Sequence, residues 1–155
     1  MITGFIGCMG SASLIKKLGG YSNTKIHGML ASLGFLLAAG GFYVIYSNKN
    51  MLGKEHFTTP HGKAGLLCMV GAFMVAAAGG VFLHPDFGVD KSNQTIRKAH
   101  SWLSRGVMAL GWLASFSGMK TIVGEDPKLL VGYLLPLLSI APFILVPSAK
   151  PKPSK

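Results

Sequence analysis

The stretch HGKAGLLCMVGAFMVAAAGGVFL, His61–Leu83, decides the fold. Its one charge is Lys63, at the start, and every residue after it is apolar or small. A bilayer core of about 30 Å needs about 20 such residues in a helix, which satisfies its own backbone groups. Working outward, Lys25–Ser47 has no charge after Lys25, and Arg97–Thr121 carries Arg105 inside it. Leu129–Val146 is nearly long enough, with Pro136 and Pro142 expected to break it. The connections 48–60, 84–96 and 122–128 are short, which predicts antiparallel neighbours. The sequence therefore predicts an all-α membrane protein. It is an up-down four-helix transmembrane bundle over 25–147, with an N-terminal arm (1–24) and a Lys/Pro tail (148–155). The basic residues after the arm's apolar run reverse the order of a signal peptide. An interfacial helix or a packed irregular segment is expected there.

Composition agrees. Of the 155 residues, 50% are hydrophobic and 13% charged, against about 25% charged in soluble domains. Disorder and a soluble enzyme are excluded on that ground. The two cysteines, Cys8 and Cys68, exclude a disulfide scaffold. The net charge is +10. On so apolar a chain it points to anionic headgroups, topology signals or an acidic partner surface. Lysine and arginine concentrate on the side holding the arm, the 84–96 connection and the tail. The positive-inside rule puts that side in the cytoplasm or its organellar equivalent.

His27, His61 and His100 each stand near a helix start. Ionisable groups in spans are costly and mark function. The first and third predicted helices run parallel, so His27 and His100 share a side and a depth. Two imidazoles facing across a bundle can ligate one b-type heme iron, and such a site suits electron transfer. Gly28, Ala31, Gly34, Ser104 and Gly106 would leave room for a porphyrin. The alternative is that each histidine only hydrogen-bonds a neighbouring helix end. A zinc site is disfavoured, because no cysteine or carboxylate lies at that depth. His61 is on the opposite face and finds no second histidine there, His56 being too local.

Arg105 either pairs with a heme propionate or snorkels to the near face. Trp102, Trp112, Tyr43 and Tyr46 can anchor the interfaces. Cys68 reads as a filler, and His84-Pro85-Asp86 as a surface turn. A faint echo, Phe35–Val44 against Phe73–Phe82, places a Gly-Gly pair late in each of two helices. There is no basic-aromatic platform for nucleic acid.

The segment KEHFTTPHGKAGLL, Lys54–Leu67, resembles the cytochrome b561 family of transmembrane ascorbate-type reductases. The resemblance rests on Lys54, His56, Phe57 and His61, with Lys25 before His27 and with His100. It spans about Lys25–Val146, where the four helices look like the family's third to sixth. It implies heme b, with His27 and His100 ligating the heme on the cytosolic side and Lys25 near an ascorbate-like donor anion. It places His56 and Phe57 near the acceptor. The family's first two helices find no counterpart in this reading, so His61 is an orphan ligand unless a partner chain supplies a histidine.

The expected function is a heme-bearing electron-transfer subunit of a larger membrane, respiratory-type complex. The alternatives are an autonomous ascorbate-dependent transmembrane reductase and a heme-free assembly subunit. One heme b is expected, in the mitochondrial inner membrane or an endomembrane.

Overall fold

The computed structural model describes residues 3–124 and 126–145. A π-helical run, Thr3–Met9, continues into α1 (Gly10–Lys17). Then come α2 (Tyr21–Met51), α3 (Pro60–Leu83), α4 (Gln94–Val123) and α5 (Pro127–Leu145). The described residues are all helix, turn and loop. Both α2 and α3 are long and apolar enough to cross a membrane. The Lys/Pro tail lies outside the described residues.

Local chemistry sets the boundaries. Gly19 (φ 72°) and Gly20 (φ 86°) turn the chain between α1 and α2 in a region L-residues avoid. Thr59 caps α3, its hydroxyl accepting the Gly62 N–H at 3.1 Å, with Pro60 preset for the first turn. Such a cap contributes about 1 kcal/mol. Asn93 Oδ1 caps α4 by accepting from the Thr95 and Ile96 N–H groups at 2.9 and 3.2 Å. Asp126 does the same for α5 through Lys128 and Leu129. The expected break in the last helix is absent: α5 runs through both prolines. Each ring removes one backbone bond, a loss a helix tolerates when its surroundings hold it in place.

Contacts fix the directions. Phe35 meets Phe73 at 5.9 Å between ring centroids, and Lys25 reaches Asp86, beyond the end of α3. So α2 and α3 are antiparallel. Early α3 meets late α4 through His61 and Ala114, while late α3 meets early α4 through Gly79 and His100. So α3 and α4 are antiparallel too, and α2 runs parallel to α4. Both α2 and α4 pack on α3 and make little contact with each other. The N-terminal helical segment lies antiparallel on α2, with Gly4 against Gly34 and Ala38.

Phe5, Ile6, Ala38, Cys68, Met69, Ala72, Met108 and Trp112 form the core. Two expectations change here. Trp112 is 8% exposed, so it is a core residue and no interface anchor. The space beside Gly34 is filled by Gly4, Cys8 and Met9 and offers nothing to a porphyrin. Outside the core the helices present large apolar side chains, among them Met29, Leu36, Tyr43, Leu67 and Met74. Such a surface suits lipid.

Candidate functional site

His27 and His100 come together, as parallel α2 and α4 require. Their ring centroids are 6.5 Å apart and the planes lie at 83°. Two metal–imidazole bonds of about 2 Å, plus half of each ring, place centroids about 6 Å apart. The pair therefore has the spacing that one shared iron demands. The His27 Nδ1 lies 2.9 Å from the Ala12 carbonyl. As the donor to that carbonyl, Nδ1 leaves Nε2 as the free ligand atom, the arrangement usual for metal-bound histidine. His100 is built differently. Its Nδ1 is buried without a hydrogen-bond partner among the described residues, which costs free energy unless something fills the site. A Cβ on Gly79 would come 2.8 Å from His100 Cε1. Glycine at that turn of α3 is what admits the ring. Beside His27, Gly28 faces open space. The residues present fit a bis-histidine heme.

A cleft of about 370 Å³ opens at this end, lined by Lys16, Gly19, Gly20, Tyr21, Thr24, Leu83, Pro85, Lys91 and Arg97. That volume is enough for a small ligand. Three of the lining side chains are cations and none is acidic. Partial burial and the neighbouring Arg97 charge push the Lys16 ammonium below its ordinary pKa. Positive charge here is undercompensated, and an anion would relieve it. Arg97 Nε donates to the Lys91 carbonyl at 2.8 Å and Lys91 Nζ to the Pro85 carbonyl at 2.9 Å. Both cations are thus tied to the loop between α3 and α4.

Lys25 stands beside this cleft. Its ammonium is 2.8 Å from Asp86 Oδ2 and lies over the Tyr21 ring, while the Tyr21 hydroxyl donates to Asp86 Oδ1. The Lys25 hydrogen bond, and then the Tyr21 one, hold the Asp86 carboxyl below the usual carboxylate range. The three together tie the start of α2 to the loop after α3. Arg105 sits over Trp102 at 5.2 Å, and Trp102 is 69% exposed. The structure thus places Arg105 on an outward-facing aromatic ring. His84 stacks on Phe87 at 3.7 Å in a surface turn.

At the other end, His61 repeats the posture of His27, with Nδ1 2.8 Å from the Ala114 carbonyl. A Cβ on Gly118 would come 2.7 Å from its Cε1. At a rise of 1.5 Å per residue, Ala114–Gly118 lies roughly 21–27 Å along α4 from His100. His56 and Phe57 lie near this end, against the last turns of α2.

Sequence reasoning counted Lys16, Lys91 and Arg97 only as topology charges. Lys91 and Arg97 lie close together around the start of α4, but Lys16 stands in α1, and no spacing rule joins it to them.

A family model described as eukaryotic cytochrome b561 matches residues 1–124. The match takes in the N-terminal segment, which the resemblance had left out, and stops before α5. The transmembrane reductase CYB561D2 of Mus musculus is 35% identical over 74 residues, 48% of this chain and 33% of that protein. Its counterparts in Bos taurus and Homo sapiens are each 34% identical over the same extent. The matched region is thus about a third of the length of these relatives. No solved structure matches the chain.

Proposed function

The chain belongs to the eukaryotic cytochrome b561 family, whose members are heme b-binding electron-transfer proteins of the membrane, and on that premise we propose that His27 and His100 hold one b heme which a small anionic donor reduces. The observation that carries this reading is the meeting of the two rings from α2 and α4, with centroids 6.5 Å apart. Held by His27 and His100, a b heme would supply reversible one-electron storage.

The protein's own part is to hold and shield. Ala12 fixes the His27 ring and Gly79 admits the His100 ring, so the two side chains are held close to each other. Four helices, α2 to α5, cross the membrane as an up-down bundle and keep water from the pair. The ascorbate-like donor enters the cleft of Lys16, Lys91 and Arg97, where cations offset its charge. Tyr21, Lys25 and Asp86 position one wall of that cleft. His56 and Phe57 form the acceptor face at the opposite end.

The test is reduction of the purified, heme-loaded chain by ascorbate. Arg97→Gln raises the ascorbate concentration at half-maximal rate and leaves the spectrum and midpoint potential alone. An unchanged half-saturation in both Arg97→Gln and Lys91→Gln would remove the donor from this cleft.

A second heme is the further reading, and the posture of His61 favours it. His61 is held on a backbone carbonyl in the same manner as His27, and a heme there would need a further histidine as its partner ligand. Two hemes per complex, one of them lost in His61→Ala, is the expected signature. A place inside a larger membrane assembly, in the mitochondrial inner membrane or an endomembrane, rests on the strong basic balance. Co-purification with such an assembly tests it.

A further inference from the structure

Phe42, Tyr46 and Asn50 recur every four residues and share one face of α2. The loop before α3 is laid against that face. Phe57 stacks on Phe42 with centroids 6.1 Å apart and planes at 11°. His56 stacks on Tyr46 at 4.0 Å and 18°. His56 Nε2 lies 2.7 Å from Asn50 Oδ1. Two ties close the loop: the Lys54 N–H donates to the Lys49 carbonyl, and Lys49 Nζ to the Glu55 carbonyl, both at 2.9 Å. Phe57 takes φ 56°, in the left-handed region. A bulky residue enters that region only where its surroundings impose it, often at functional sites.

An amide oxygen only accepts hydrogen bonds, so the proton between Asn50 and His56 sits on Nε2. The other nitrogen of a neutral imidazole is then a lone-pair acceptor. His56 Nδ1 has no partner among the described residues.

We propose that Asn50 and Tyr46 are positioning residues that hold His56 as its Nε2–H tautomer. Nδ1 is thereby presented as the hydrogen-bond acceptor for a hydroxyl-bearing small molecule. The proposal rests on the reading of His56 and Phe57 as the acceptor face. It adds which nitrogen works and what fixes it: Asn50 sets the tautomer, and Tyr46 sets the ring plane.

The experiment is nitrogen NMR on the purified full chain carrying isotope-labelled histidine, with the His56 signals identified by their loss in His56→Gln. The wild type shows a protonated Nε2 and a bare Nδ1. Asn50→Leu moves the population toward the Nδ1–H form, and Asn50→Asp, which keeps an acceptor oxygen, restores the wild-type pattern. Tyr46→Phe keeps the stack and the pattern, whereas Tyr46→Ala broadens both signals. A residue that merely stabilised the loop would not move the tautomer. A protonated Nδ1 in the wild type, or an unchanged tautomer in Asn50→Leu, overturns the proposal. Acceptor reduction that is unaffected by His56→Gln overturns the acceptor-face reading instead, and the tautomer still reports on Asn50.

Discussion

Single side chains carry the chemistry, and their surroundings decide which of them count. His27 and His100 were legible as a pair from helix parity alone. The cationic cleft was not, because its cations meet only once the loop after α3 folds back on α1. Losing one charge-assisted hydrogen bond in a partly open cleft costs about a tenfold increase in half-saturation. We therefore expect Arg97→Gln to raise it by about that factor in steady-state ascorbate assays. Lys25→Gln should have a smaller effect, since Lys25 acts through Asp86. Asp86 itself gives a pH signature. Its carboxyl titrates lower in the folded protein than in the unfolded chain, because Lys25 and then Tyr21 favour its charged form. The tether is then fully present above the unfolded carboxylate pKa of about 3.9 and is lost as pH falls through the native value. Thermal unfolding should separate wild type from Asp86→Asn at pH 7, and the gap should close as pH is taken from about 4 down past the native pKa of the carboxyl. A gap of equal size at both ends of that range would show that the carboxylate charge does not matter.

Helices carry the geometry, and here α3 and α4 make a reciprocal exchange. Gly79 of α3 admits His100 of α4, and Gly118 of α4 admits His61 of α3. Forcing a side chain into such a contact costs typically about 1–3 kcal/mol and displaces the ring. Gly79→Leu should abolish heme at the His27–His100 pair while circular dichroism stays helical. Gly118→Leu should leave that heme in place, as an absorbance spectrum of each variant would show. Loss of the heme in both, or in neither, contradicts this assignment.

The sequence put a Gly-Gly pair late in α3, and that much was readable. What approaches was not, because a glycine names no partner. The repeat suggested by the earlier Gly-Gly pair does not extend to contacts, since Gly40 faces open space. The N-terminal segment was also opaque. It is short for a span and carries no charge before Lys16. Its helix becomes intelligible only when Gly4 and Gly34 bring two backbones together. Such a contact joins positions that no periodicity connects. The bounds of α3, by contrast, followed closely from charge and apolar length, while α2 and α4 run about two to four residues past the expected ends.

For the whole molecule, composition alone pointed to the membrane, and the apolar exterior of the helices accords with it. One end gathers the paired histidines, the cationic cleft and the Asp86 tether. The other gathers His61, His56 and the aromatic ladder, roughly 21–27 Å away along α4. On the proposed reading, His27 and His100 would hold the heme at one end, and passage across that separation would call for a second site near His61. The most direct test is a dithionite-reduced minus oxidised spectrum of the purified chain, with heme counted per polypeptide. We predict a b-type signal from a heme that is lost in His27→Ala and in His100→Ala and retained in His61→Ala. A folded chain that binds no heme, or whose heme survives both His27→Ala and His100→Ala, would contradict the account.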